Sequence, residues 1–549
     1  MKSVEGGSLM GSINSDWLPH LSPEVVSETE GNYLDAYVVA LEGWRRGLTL
    51  RWHVKDSEKF KEMKTWYVDQ PGQLFSLHSK DKSHYFFRTR GDKVPNEAVE
   101  KGMDKDATKQ LLAKAGIPVP EGKQFSREQT VEEMLEYARE IGYPVVIKPT
   151  DGSFGRGVLS DIQTEEELRH SIDYLRTELN PEQIIVERYV PGEDYRLYVV
   201  GDEVIGAILR VPPNVVGDGI NSIESLIEIK NNERNLNPRL VSCPILTDNE
   251  TVKYLEQYNY TLDTVPEKDQ IIYTNNKANI SLGGDPIDVL DEISNETKKT
   301  AIQALQAIPE LGQGAVDLLL ERCSAGEERG YVIELNPTAQ LGGILFPIKG
   351  QPRDIPSAII DYYFPETKRY DKNLQLHFKF HQVLNPLIKG VAQVTKVSPC
   401  IRTNIESKKI TLTGKFSEIN VFNWLRNIAL ELSLNGFIQV HAEDRVQIVA
   451  MGESINLKEF KIILMNNKQP MEVTHLEELD WKEPIQLGFE IIDGTHDLIQ
   501  EINTIKKETA TTQKQMIKLE KEYQNMLNSN SWKITAPLRK LTGGMKKKM

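Results

Sequence analysis

The chain has 549 residues, 39% of them hydrophobic and 27% charged, which suits a soluble globular protein of about two to four domains rather than one ordinary core. Its 66 Lys and Arg against 80 Asp and Glu leave a formal net charge of −14, and that balance excludes a general nucleic-acid binder. Three widely spaced cysteines, Cys243, Cys323 and Cys400, fit neither a disulfide framework nor a zinc site and point to a reducing, cytoplasmic setting.

The start, MKSVEGGSLMGS, lacks the apolar stretch of a signal peptide, and no run of about 18 apolar residues marks a membrane span. Residues 1–31 are Gly- and Ser-rich and are expected to be flexible. Residues 32–95 read as a small N-terminal α/β domain with a helix, YLDAYVVALEGWRRG, and a closing tract, FFRTRGD. In that helix Trp44, Arg45 and Arg46 have two readings: a substrate contact, or a core tryptophan with arginines at a solvated helix end.

Residues 96–370 alternate helices and strands. TVEEMLEYAREIG places Val131, Met134, Leu135, Ala138 and Ile141 on one helical face. Thr130 and Glu133 form a capping box at its start, and Gly142 suits its end. TEEELRHSIDYLRTEL repeats the design with Thr164 and Glu167. IIVERYV is the next strand, and RLYVV-GDEV-IGAILRV reads as a hairpin turning at Gly201-Asp202. GAVDLLLE and YVIELNP are two late strands. Residues 371–397 read as a linker, and 398–494 as a compact α+β unit of strands ITLTGKF, GFIQVHA, RVQIVAMG and QLGFEII with two helices. Over 495–528, Leu498, Ile502, Ile505, Thr509, Thr512, Met516, Leu519, Tyr523 and Met526 alternate steps of four and three. That seam predicts a coiled-coil helix and a homo-oligomer. A basic tail, 529–549, closes the chain.

The chemistry concentrates in the middle. YPVVIKPT runs into DGSFGRGV, a glycine-rich turn whose backbone N–H groups can approach phosphate oxygens. Lys148, flanked by apolar residues in the strand feeding that loop, can neutralise what the loop holds, and Lys105 is a second candidate cation. Glu334 and Asn336 lie two apart on a strand and so face one side. Asp317, from an apolar neighbouring strand, completes an oxygen-only set suited to Mg²⁺, with Mn²⁺ an acceptable substitute.

Seven blocks occur in order: MDKDATKQLLAKAGIPVPEG, YPVVIKP, DGSFGRGV, VERYVPGEDYRLYVVGDEVIGAILRVPPNVVGDG, NNKANISLGGDPID, GAVDLLL and YVIELNPTAQLGG. Together, over about residues 100–366, they resemble an ATP-grasp domain like that of cyanophycin synthetases and bifunctional glutathione synthetases. The resemblance implies that Ser153, Phe154, Gly155, Arg156 and Gly157 close over the phosphates of ATP, with Lys105 and Lys148 as the nucleotide lysines. Glu187, Arg188, Tyr189 and Val190 would form the adenine hinge, and Asp194 would take the ribose hydroxyls. Asp317, Glu334 and Asn336 would ligate Mg²⁺, and Arg196, Arg210 and Lys277 would be the cations near an acyl phosphate or substrate. The implied reaction joins a carboxylate to an amine through an acyl phosphate. NPTAQLGG lacks the His that usually ends the last motif of cyanophycin synthetases, and no Mur-ligase-like domain follows, so cyanophycin is not the expected product.

The unit 398–494 resembles an acylphosphatase, a ferredoxin-like α+β sandwich. GKFSEINVFN lacks that family's loop glycines, Asn423 stands near the place of its arginine, and Val440 stands where its asparagine belongs. The resemblance therefore implies a retained fold without the hydrolase. The tail SNSWKITAPLRK is similar to tails of bacterial enzymes of surface-polysaccharide assembly. It points to a glycan-linked carboxylate or amine as substrate, and to a polysaccharide-biosynthesis partner or the inner membrane face as a docking place. The multidomain α/β and α+β chain is thus expected to be an ADP-forming ligase. A nucleotide-binding scaffold or an ATP-grasp kinase would carry the same motifs.

Overall fold

A computed structural model describes residues 17–29, 31–150, 157–322, 328–367, 375–402, 404–416, 420–442, 444–466 and 471–492. The chain divides into two units: residues up to 403 with Lys482–Leu487, and Asn404–Trp481 with the chain from Gly488.

The first unit opens with helix Asn32–Arg45, in which every residue from Leu34 to Arg45 is buried. A helix apolar nearly all round has to sit inside a domain. It lies against a five-stranded antiparallel sheet in the order Val394–Lys396, Thr49–His53, Leu74–His78, Ser83–Phe87, Arg90–Gly91. Phe378 and Phe380, from a later segment, bridge the two: Trp44 and Tyr37 of the helix meet Phe378 and Phe380 at centroid distances of 5.4 Å each, and Trp52 of the sheet meets Phe380 at 5.1 Å.

This arrangement corrects two sequence expectations and decides a third that had two readings. The described part of the expected linker 371–397 is not a linker: Phe380–Ile388 is a helix and Val394–Lys396 is an edge strand of the N-terminal sheet. Aromatic burial far from its sequence neighbours, with Phe378 and Phe380 at 1–2% exposure, outweighs the irregular local pattern. Within 1–31, Pro19–Leu21 and Pro23–Val26 are helical and bury Leu21, Val25 and Val26. Trp44 is core, and Arg45 and Arg46 are neither solvated nor turned to a substrate. Arg45 donates to the carbonyls of Leu376 and His20, and Arg46 pairs with Glu42 at 2.7 Å and with Asp361.

Two further sheets follow. A four-stranded antiparallel sheet runs Gly122–Ser126, Gln183–Arg188, Val145–Pro149, Leu159–Ile162. Helices Val131–Ile141 and Glu165–Tyr174 contribute Met134, Leu135, Ala138, Ile141, Leu168 and Ile172 to the core on one of its faces. The Thr130–Glu133 capping box forms in both directions, Thr164 accepts from the Glu167 N–H, and Gly142 ends the first helix at φ +80°. A five-stranded antiparallel sheet runs Asp285–Asp288, Glu203–Val211, Glu193–Val200, Gln313–Arg322, Glu328–Asn336. Helix Asn295–Gln306 helps cover it, with Ala301, Ala304 and Leu305 in the shared core. The hairpin turns at Gly201 with φ +63°. Between these sheet segments, Asn214–Val216 and Ile271–Tyr273 pair around a small core of Ile223, Ile227, Leu255 and Ile272.

The second unit has strands Glu472–Asp480, Ile405–Lys415, Arg445–Glu453 and Asn435–Ala442 side by side and antiparallel, with Phe489–Ile492 added in parallel. Helices Val421–Glu431 and Ser454–Asn466 share its core, through Leu425, Ala429, Phe460 and Leu464. The sequence reading misses the strand Glu472–Asp480. It is mostly exposed and acidic, so alternation is weak, and its neighbour's lysine carries the pairing through Lys408 to Asp480 at 2.7 Å. Ile485–Gln486, expected inside this domain, pairs instead with Leu376–His377 in the first unit. The expected coiled coil 495–528 and the tail 529–549 lie outside the described residues.

Candidate active site

The site begins with strand alternation. In the four-stranded sheet, Val145, Ile147, Ile184 and Val186 point to the helix-covered core. Their alternates Lys148, Ile185 and Glu187 point the other way. There they meet Lys105, Thr108, Lys109 and Leu112 of helix Lys105–Lys114, and Val332 and Ile333 of the five-stranded sheet, around a cleft. Asp104 caps that helix by accepting from the Asp106 and Ala107 N–H groups, which fixes the turn that carries Lys105. Polar groups from one sheet and an apolar floor from the other make a nucleotide-shaped chemistry: cations for phosphate, flat surface for a base.

Glu187 is held at both oxygens. Lys148 donates to Oε1 at 2.5 Å and Lys109 to Oε2 at 2.7 Å. Burial pushes its carboxyl up, but the two ammonium groups outweigh that and hold it below the usual range. The N–H groups of Arg188 and Tyr189 already bond to the carbonyls of Glu121 and Pro144, and the Arg188 side chain pairs outward with Glu121 at 3.1 Å. Val190 is buried. Gly157, at φ +75°, packs against Leu179 and Pro149. Ser153, Phe154, Gly155 and Arg156 lie outside the described residues.

The second cluster grows on the five-stranded sheet. Register places Arg196 opposite Asp317 on one side and Glu334 opposite Asp317 on the other. Arg196 clasps Asp317 with two bonds of 2.7 Å. Arg210 reaches Asp194 at 2.5 Å and Asp317 at 3.0 Å. Asn336 donates to Asp317 at 3.3 Å. Burial raises the carboxyl of Glu334, with the Asp317 charge adding to it, while Lys105, Arg196 and Arg210 pull it back. Asp194 is raised as well, burial outweighing Arg210. Asp317 is the opposite case: burial pushes it up, yet Arg196 and Arg210 hold it down. Six of the sequence candidates, Asp194, Arg196, Arg210, Asp317, Glu334 and Asn336, thus stand in one cluster.

A divalent cation fits this donor chemistry. Two carboxylates and one amide supply hard oxygen donors, and each oxygen has lone pairs beyond those the guanidiniums use. Among the described residues no three His, Cys, Asp or Glu side chains group as a metal site, so the third donor is the Asn336 amide and phosphate oxygens would complete the shell. Lys277 is not held in this cluster. It pairs with Glu250 at 2.7 Å, next to the Asn214–Val216 and Ile271–Tyr273 pair in sequence rather than on the five-stranded sheet. Lys109 is the residue sequence reasoning missed. Its spacing of four from Lys105 on a helix was the available signal.

The fold and these two clusters define an ATP-grasp arrangement. Residues 102–218 match the family model of a RimK-like ATP-grasp domain, and residues 408–491 match that of acylphosphatase; the chain contains both domains. It is 36% identical over 281 residues to a cyanophycin synthetase from Trichormus variabilis, covering 50% of this chain and 31% of that protein. It is 31% identical over 271 residues to the glutathione biosynthesis bifunctional protein GshAB of Listeria innocua, covering 48% and 34%. A crystal structure of a bifunctional glutathione synthetase from Pasteurella multocida aligns over 54% of this chain and 41% of that one, at 28% identity and a TM-score of 0.42. The chain spans about a third of the length of the curated relatives it matches.

Proposed function

We propose that this chain is an ATP- and Mg²⁺-dependent, ADP-forming ligase that joins a carboxylate to an amine. The observation that carries the reading is the cluster in which Arg196, Arg210, Asp317, Glu334 and Asn336 converge from neighbouring strands. Buried ions at this density are costly to a fold and are kept where charge must be handled.

In this reading Lys105 and Lys148 hold the nucleotide phosphates, the hinge from Glu187 to Val190 holds the base, and Ser153 to Gly157 cover the phosphates. Asp194 takes the ribose. The substrate carboxylate attacks the γ-phosphorus, and the bond to ADP breaks. The amine then attacks the acyl carbon, loses a proton, and inorganic phosphate leaves. Arg196 and Arg210 offset charge on the transferring phosphoryl and on the acyl phosphate. Asp317, Glu334 and Asn336 would hold Mg²⁺, which supplies charge neutralisation at the phosphates when bound. Lys277 is the cation this reading assigns to the substrate end.

The finer part of the proposal concerns the substrate. The resemblance of SNSWKITAPLRK to tails of surface-polysaccharide enzymes supports a glycan or glycan precursor as one partner and an amino acid as the other. The heptad over 495–528 supports a homo-oligomer, and the basic tail a peripheral place at the inner membrane face.

The test is ADP and phosphate release by the purified chain with Mg²⁺-ATP against amino acids paired with uronic or dicarboxylic acids, with Glu334→Ala as control. Release that needs both a carboxylate and an amine, and that Glu334→Ala loses, supports the ligase and names its substrate class. ADP formation with the carboxylate alone replaces it with a kinase. ATP binding without turnover on any pair replaces it with a scaffold.

A further inference from the structure

Among the described residues that line the cleft Glu187 is the only carboxylate, and it is gripped from two sides by different elements. Lys148 comes from the strand that leads into the glycine loop, so it stands toward the phosphates. Lys109 comes from the helix and stands on the far side, against Gly122. A Cβ at position 122 would lie 2.9 Å from the Lys109 ammonium and 2.5 Å from the Glu187 Cβ. Such distances are shorter than real contacts, so the missing side chain at Gly122 is what lets the Lys109 ammonium sit under the strand. The pair is well shielded, with side-chain exposures of 19% for Lys109 and 6% for Glu187.

We propose that Lys109 is a positioning residue that sets nucleobase selection by holding Glu187. The proposal rests on the ATP reading above and adds what chooses the base. Phosphates in the cleft draw Lys148 away from Oε1. Lys109 remains on Oε2, keeps the carboxylate charged and fixed, and leaves Oε1 facing the cleft as an acceptor. An acceptor there matches a base that offers an exocyclic amino group, as adenine does at its 6-position. Guanine presents a carbonyl oxygen at that position, and two acceptors repel. Without Lys109 the vacated carboxylate loses the second of the two ammonium groups that hold it, and a buried charge in that state protonates or turns after Lys148.

The experiment is calorimetric titration of the full chain, with Mg²⁺, using ATP and purine riboside 5′-triphosphate, which differs by lacking the 6-amino group. Wild type should prefer ATP by about tenfold or more, the size of one charge-assisted hydrogen bond. Lys109→Met should bind both nucleotides with a preference of about twofold or less, and Lys109→Arg, which keeps the charge, should restore most of the preference. A ratio between two ligands is not moved by a general loss of folded protein, which a thermal melt monitors. Should Lys109→Met not fold, Lys109→Gln carries the same comparison. If wild type binds neither nucleotide, the ATP reading itself fails. If wild type prefers ATP and the uncharged variants keep the full preference, the role of Lys109 is overturned while the ATP reading stands.

Discussion

The five-stranded sheet of the first unit and the sheet of the second unit show opposite outcomes of the same constraint. The first is antiparallel throughout and the second is antiparallel but for Phe489–Ile492, and both bury a continuous apolar core on a helix-covered face. On the first, Asp194, Arg196, Arg210, Asp317, Glu334 and Asn336 interlock in partly and fully buried positions. On the second, Asn423, in helix Val421–Glu431, and Val440, in strand Asn435–Ala442, stand where the sequence reading expects an acylphosphatase's arginine and asparagine. A core survives the loss of site residues because apolar burial does not depend on them. A buried ion cluster does not survive piecemeal, because removing one charge strands another. Retention of a fold is therefore weak evidence of chemistry, and retention of a whole charge cluster is stronger.

The comparison can be broken most directly at Glu334. Glu334→Gln should lower ADP release by about 10²–10³-fold with the melting temperature nearly unchanged, because it removes one oxygen charge from the cluster and keeps its size. Full activity in that variant would remove the distinction between the two sheets. Next in size, Phe460→Ala in the second unit should cost about 3–5 kcal/mol in urea unfolding, since Phe460 is fully buried. A cost near zero would mean that this core is not what preserves the fold.

Acid should act on the first unit through its buried histidines. Burial, followed by the charges of His78 and Arg51, lowers His53 to about 4, and burial with Arg45 and Lys379 lowers His377 to about 4. Above the ordinary histidine value of 6.5 neither group binds a proton in either state, so neither affects stability. Between 6.5 and 4 the unfolded chain binds protons that the folded chain refuses, so stability falls as pH falls. With about 1.4 kcal/mol per unit, each group should account for roughly 3 kcal/mol by pH 4. His441 and His475 of the second unit are exposed. The buried carboxyls of Asp35 and Asp194, raised to about 6, act the other way over the same range, so the sign is read on one group: from pH 7 to 4.5 the denaturant midpoint of His53→Gln should fall less than that of the unsubstituted chain. Equal falls in the two would contradict the burial argument. The smallest expected effect is no effect: benzoyl phosphate should not be hydrolysed above background by the full chain. Hydrolysis abolished by Val440→Ala would show that the second sheet kept its chemistry after all.

Local signals carried much of the fold. The capping box at Thr130, the Thr164 side-chain cap, the Gly201 turn and the helical face from Val131 to Ile141 depend on contacts a few residues apart, and each formed; at Thr164 the box is half made, since the Glu167 side chain accepts from the Gln163 N–H instead. The edge strand Glu472–Asp480 was illegible because its two core-facing residues, Val473 and Leu476, lie three apart across a register shift and the rest is mostly exposed, so no period of two is left to read. The stretch Leu376–Lys396 was illegible for a different reason: its aromatic residues make sense only beside Trp44 and Trp52, more than 300 positions away.

By itself, the sequence determined which groups were available: oxygen donors two apart on a strand, a lysine ahead of a glycine loop, guanidiniums in a hairpin, and a second unit missing the polar residues of its own family. Side-chain chemistry and strand period are local properties, readable without a fold. Only the tertiary structure decided which of those groups share one charge. It set Arg196 and Arg210 on Asp317, moved Lys277 to Glu250, and brought the unremarked Lys109 to Glu187. Coulomb energy depends on distance through space and on the water excluded between charges, and neither is written along the chain.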